Sequence, residues 1–108
     1  MNKGEIWLVE FPASATHEQA GGRPALILAD TEANIAVVVP LTSNVQALRF
    51  SHTLEIKPSK LNGLSAFSIA LIFHIRAIDK SRLKKKIGDI ESHYLAKISE
   101  MLKTLLGL

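Results

Sequence analysis

The sequence has no cysteine. Disulfides are therefore excluded, and so is any metal centre held by thiolates. The absence fits a reducing compartment. Long apolar runs are missing too. The longest, such as IAVVVPL (residues 35–41), fall far short of the roughly 20 residues that a membrane-spanning helix needs. The opening MNKGEIWLVEF is interrupted by Glu5 and Glu10, so it does not read as a secretory leader. No repeat, low-complexity segment or linker-like stretch occurs. Hydrophobic residues make up 47% of the 108, enough for one modest core rather than a disordered tail. The expectation is a soluble, cytoplasmic protein with no membrane contact, folded as a single domain over residues 1–108.

Basic residues are scarce in the first half. Residues 1–54 hold three Lys/Arg against five Asp/Glu, whereas residues 55–108 hold ten against five. Five of those ten fall in KSRLKKK, from Lys80 to Lys86. Such a run is either a solvated turn or helix start, or a surface for a polyanion or an acidic partner. Charge alone does not choose between them.

What is present is a series of short apolar stretches between turn signals. EIWLVEF (5–11), RPALILA (23–29), NIAVVVPLT (34–42) and SHTLEI (51–56) read as strands, the third rich in β-branched residues and the fourth alternating polar with apolar. Pro40 places the end of the third at an edge or a bulge. FSIALIFHIRAI (67–78) is the longest candidate strand and has room to bend partway. The stretches lie too close together for crossover helices. Antiparallel pairing in a small closed or half-closed barrel follows. Near the end the period changes: Ile90, Tyr94, Leu95, Ile98, Met101, Leu102, Leu105 and Leu106 recur at helical spacing. Asp89 is suited to cap that helix and Gly107 to end it. Its apolar stripe fits a lid on the barrel or a partner surface.

Four stretches, GEIWLVEF, HEQAGGRPALIL, VVVPLTSN and IRAIDKSRL, occur in the order seen in the MazF/PemK/Kid family of toxins from type II toxin–antitoxin pairs. From about Gly4 to Leu83 the chain resembles that family. The resemblance implies a mainly β (α+β) fold, a small SH3-like antiparallel β-barrel with a C-terminal α-helix, assembled as a homodimer. It implies metal-independent cleavage of single-stranded RNA, with no cofactor. It also implies a cognate antitoxin, whose disordered and often acidic segment covers the RNA groove.

In such cleavage the RNA's own 2′-hydroxyl attacks the neighbouring phosphorus. A base takes the hydroxyl proton, an acid protonates the leaving 5′-oxygen, and fixed donors stabilise the extra charge on phosphorus. Arg23 matches the family's catalytic arginine. Its fork of donors suits a phosphate, and Pro24 biases its backbone toward an extended shape. Without the resemblance, the local sequence favours a strand-end arginine in a surface ion pair. Thr42 and Ser43 match the hydroxyl pair that contacts the reacting phosphate, although Thr and Ser also close turns. His17 matches the histidine that assists catalysis in the Kid-like branch. Gln19 is a candidate for base contact or loop ordering.

The chain departs from the family in the long stretch. The Kid-like branch carries a catalytic Arg and Asp where this sequence has Leu71 and Phe73. His74 stands where the family usually has Gln, which suits RNA contact or a structural histidine. Strand alternation sets it on the face opposite Leu71 and Phe73, with Arg76, unless a bulge intervenes. Arg76 and Asp79 are expected to pair and shape the strand end. Lys80, Arg82 and Lys84 to Lys86 are further candidates for phosphate contact, and Phe50 and Trp7 for base stacking; Trp7 also fits half-buried packing. Arginine is a poor general base, so the base is unassigned, with His17 the first candidate. The alternative to an active nuclease is a weakened or inactive RNA- or antitoxin-binding module of the same fold.

Overall fold

The computed structural model describes residues 1–11 and 22–108; His17 and Gln19 lie outside the described residues. The strands are β1 (Glu5–Glu10), β2 (Gly22–Asp30), β3 (Ile35–Thr42), β4 (Thr53–Ile56), β5 (Ser68–Leu71), β6 (Arg76–Asp79) and β7 (Leu83–Asp89). Helix α1 spans Ser92–Leu106. All pairings are antiparallel, in the order β4-β5-β3-β2-β1-β7, with β6 also on β3. β4 and β7 end this path and, among the described residues, do not pair. Among the described residues the sheet curls without closing, so of the closed and half-closed forms expected the closed one is corrected.

The central strands are buried on both faces, which is why their sequences are nearly continuous in Val, Ile, Leu and Ala. Alternation sends Ile6, Leu26, Val39 and Leu41 to one side, where Ile98 of α1 is fully buried among them. Val9, Ala25, Ile27 and Val38 go to the other side, under Met1, Trp7, Phe11 and Leu83. The helix is thus the lid that its apolar spacing suggested. It ends as expected at Gly107, which takes a left-handed conformation at φ 72°. Leu108 N–H then donates to the Lys103 carbonyl at 2.9 Å, satisfying one of the last free acceptors.

Three expectations are corrected. The helix does not start at Asp89, because β7 runs through that residue; Glu91 holds the cap position, and Asp89 pairs with Lys86 at 3.2 Å. The lysine run is neither wholly a turn nor a helix start. Lys80–Arg82 forms a 3-10 turn, and Leu83–Asp89 is a strand held by its ladder to β1. As a sheet edge it carries Lys84, Lys85 and Lys86, which discourage further strands from adding there. Pro40 is not on an edge strand. β3 pairs β6 through Val38–Arg76 and β5 from Leu41–Ala70, so Pro40 sits where the strand exchanges one partner for the other. No ladder bond is required of it on that side.

The long stretch 67–78 does bend. Between those same two pairs the chain advances from Ala70 to Arg76 while β3 advances only from Val38 to Leu41. The surplus is taken up by a 3-10 turn at Ile72–His74. Among the described residues, no helix is long and apolar enough to cross a membrane.

Candidate active site

β2 and β3 form a hairpin whose ladder starts at Ala25–Pro40 and continues through Leu26–Val39 and Ile27–Val38. Extended two residues the other way, that register sets Arg23 against Thr42. The ladder has already stopped there. Pro24 lacks an N–H to continue it, and β2 is held on its other side by Leu8–Pro24 and Val9–Arg23. The strands therefore part, and an open cleft of about 530 Å³ lies between them. Arg23, Thr42 and Ser43 all line it, with Asn44, Ser65 and Ser68. The structure thus brings three of the sequence candidates together.

The hydroxyl of Thr42 is oriented. Its Oγ1 accepts the Asn44 N–H at 3.2 Å, which leaves its own proton for an acceptor in the cleft. Accepting a turn hydrogen bond and lining the cleft thus coexist in one side chain. Among the described residues, no carboxylate lies within 4.0 Å of the Arg23 guanidinium, so the surface ion pair is not seen there. A smaller cleft of about 200 Å³ adjoins the first and shares Thr42 and Asn44 with it; Gln46, Arg49, Phe50, Leu71 and Phe73 complete its walls. No Asp, Glu or His lines either cleft among the described residues. The described walls can attract and orient an anion, but they supply no evident proton acceptor.

Leu71 and Phe73 both line the smaller cleft and make that part of its wall apolar. The alternation argument for His74 fails because the 3-10 turn breaks the strand. The His74 ring instead stacks beside Phe73, centroids 6.0 Å apart and planes 7° apart, on the exposed rim. Arg76 and Asp79 do not pair. The Arg76 guanidinium lies 5.1 Å above the Phe11 ring, and Asp79 Oδ1 accepts from Asn34 Nδ2 at 2.9 Å and Ser81 N–H at 2.8 Å. Those bonds, the Ser81 N–H first, hold the Asp79 carboxyl below the usual aspartate range.

Lys80 and Arg82 are not brought to the cleft. They follow Asp79, which pairs with Ile35 at the far end of β3, about 23 Å of strand from Thr42. Lys80 is engaged there, bridging Asp30 and donating to the Thr31 carbonyl at 2.8 Å. Its hydrogen bond keeps the Asp30 carboxyl below its ordinary range. Lys84 and Lys86 lie near Glu10 and Glu5, each at 3.7 Å. Trp7 is half-buried and donates its indole N–H to Glu5 Oε1 at 2.9 Å, in keeping with packing. Asn44, Ser65 and Ser68 were missed. Asn44 was legible, since it ends the VVVPLTSN stretch, whereas Ser65 reaches the cleft through a loop with no pattern of its own and Ser68 opens β5, inside the expected strand 67–78.

A curled antiparallel sheet with one covering helix, opening at a hairpin end into a cleft that carries an arginine and an oriented threonine, defines a small, mainly β protein. The family model described as PemK-like, MazF-like toxin of type II toxin-antitoxin system matches residues 2–106, and the chain belongs to that family. Endoribonuclease MazF9 of Mycobacterium tuberculosis is 31% identical over 118 residues, covering 100% of this chain and 98% of its own. Endoribonuclease EndoA of Bacillus subtilis is 29% identical over 112 residues, covering 100% and 96%. A crystal structure of MazE-MazF (Form-II) from Deinococcus radiodurans is similar with a TM-score of 0.77 at 29% identity, covering 100% of this chain and 96% of that one.

Proposed function

We propose that this chain is the toxin of a toxin–antitoxin pair and that it cleaves single-stranded RNA. The observation that carries the reading is the convergence of Arg23 and Thr42 on one cleft with no carboxylate among its described walls. The names of the two relatives, both endoribonucleases, support it.

In this reading a phosphate of the RNA lies between Arg23 and the Thr42 hydroxyl. The neighbouring 2′-hydroxyl attacks phosphorus, and the bond to the 5′-oxygen of the next nucleotide breaks. The products are a 2′,3′-cyclic phosphate and a 5′-hydroxyl. Arg23 binds the non-bridging oxygens as negative charge builds, and it delivers the proton to the leaving oxygen. Thr42 donates to one phosphate oxygen, and Ser43 adds a weaker contact. His17 is the candidate base, and Gln19 and His74 the candidate contacts to RNA outside the phosphate. No metal or cofactor takes part. The protein works as a single domain in a homodimer in the cytoplasm, held silent by its antitoxin.

The test is incubation of the purified protein with mixed single-stranded RNA in the presence of a chelator. Fragments ending in a 2′,3′-cyclic phosphate are expected. Arg23→Ala should lower the rate by about 10²–10³ with the fold intact, the usual cost of removing one donor to a developing oxyanion. Undiminished cleavage by Arg23→Ala would remove the site assignment. The apolar Leu71 and Phe73 favour a second reading, a binding module that has lost cleavage; intact RNA with retained binding selects it.

A further inference from the structure

The smaller cleft contains two phenylalanines that folding has left in the open. Phe50 is 50% exposed and Phe73 42%. Exposed aromatic rings forgo the stabilisation that burial brings, yet these two are held in place. His52, at φ 59°, adopts a left-handed conformation that is uncommon for a residue with a side chain. From there its carbonyl accepts the N–H groups of Ile72 at 3.0 Å and Phe73 at 3.3 Å. The Thr53 hydroxyl donates to the Phe50 carbonyl at 2.9 Å. Main-chain bonds therefore tie the segment bearing Phe50 to the turn bearing Phe73. Their rings stand 5.7 Å apart at 56°. His74 continues the aromatic surface beside Phe73, and the Arg49 guanidinium lies 5.1 Å over Phe50.

We propose that Phe50 and Phe73 form a subsite for one unpaired nucleobase, immediately beside the phosphate held by Arg23 and Thr42. The inference rests on the endoribonuclease reading and says where that substrate gains affinity. Three features favour a base. The cleft, about 200 Å³, is smaller than the roughly 300–1,000 Å³ that drug-sized ligands fill, and suits a single planar ring system. Its walls pair aromatic faces and a guanidinium with the amides of Asn44 and Gln46, the combination that stacks a base and meets its edge. It also shares Thr42 and Asn44 with the phosphate cleft, so the base and the phosphate belong to the same or adjacent nucleotides. Apolar residues at Leu71 and Phe73 thereby gain a purpose: the position lost to acid–base chemistry is used for stacking.

The experiment measures binding and cleavage separately. Wild type, Phe50→Leu and Phe73→Leu, which keep apolar bulk but lose the ring, are first matched for melting temperature. Each is titrated against a pool of short 2′-O-methyl RNAs, which cannot be cut because the attacking hydroxyl is blocked. The tightest strand is then remade with a single abasic nucleotide at each position in turn. Wild type should lose about 5- to 150-fold in affinity at one position, the usual range for removing one stacked base. Phe73→Leu should lose a similar factor on the intact strand and nothing more at that position. If the losses from ring and base multiply at every position, or the variants bind the pool as wild type does, the subsite is overturned and the rings are a face for protein. Coupled losses with no cleavage of ordinary RNA would sink the nuclease reading while keeping the subsite. Cleavage without coupling would do the reverse.

Discussion

Asn62 is the polar residue on which the loop between β4 and β5 depends. It is fully buried, and its side chain makes four kinds of bond. Oδ1 accepts the Ser59 and Leu64 N–H groups, both at 3.0 Å, while Nδ2 donates to the Lys57 carbonyl at 2.9 Å and to Glu91 Oε1 at 3.1 Å. The loop also packs backbone to backbone on the end of β7, where Asp89 N–H donates to the Leu61 carbonyl at 2.9 Å. Asn62→Ala strands two backbone donors. At about 1–3 kcal/mol for each buried group left unpaired, the loss is about 2–6 kcal/mol. Ser59 is only half-buried, so water recovers part of its bond, and a loss of about 2–4 kcal/mol is expected. Set against a total of about 5–15 kcal/mol for a domain of this kind, that is a large share. Urea unfolding followed by the single tryptophan, Trp7, measures it as a shift in midpoint at constant slope. Asn62→Asp sharpens the test. It keeps both acceptor bonds but sets a second carboxylate beside Glu91, which raises the folded pKa of the new group. Its penalty should be slight while that group is protonated and grow as pH rises. A loss under about 1 kcal/mol for Asn62→Ala, or a pH-independent Asn62→Asp, refutes the reasoning.

Three further outcomes are expected. Gly63 sits at φ 70°, and a Cβ there would lie 1.9 Å from the Ile87 carbonyl oxygen, so Gly63→Ala should cost at least the 1–3 kcal/mol typical of overpacking, read as a drop in urea midpoint. The Glu5 carboxyl is held below the usual range by the Trp7 indole bond and then by Lys86, against the effect of burial. Its contribution is present above the ordinary glutamate pKa of about 4.3 and is lost as pH falls through the lower folded value, so wild type and Glu5→Gln should converge in stability on acidification; parallel profiles would count against this. Thr42→Val removes the hydroxyl at nearly constant volume and should slow RNA cleavage roughly tenfold to a hundredfold, with Thr42→Ser retaining most of the rate; a Val variant as fast as wild type would leave Thr42 as a turn residue alone.

Much of the fold was legible because it is written locally. Strand alternation, the change to helical spacing after Ile90, the left-handed glycine at 107 and the Arg23–Pro24 corner each depend on neighbours within a turn or two. β7 was not legible. Its lysines have low strand propensity, and the ladder to β1 is formed with residues some 80 positions away. The break at Ile72–His74 was foreseen only as a bend, because three surplus residues are visible only when both halves are laid against β3.

The candidate site divides the same way. Residue chemistry determined that Arg23 can hold a phosphate and that Thr42 can donate to it. Only the tertiary structure decided that the two stand across one opening, because their apposition depends on the register of β2 on β3 and on where that ladder ends. It likewise engaged Lys80 with Asp30, and it brought Phe50 against Phe73 through the His52 carbonyl. Side-chain chemistry belongs to each residue alone, whereas contact between residues distant in sequence is set by how the strands pair.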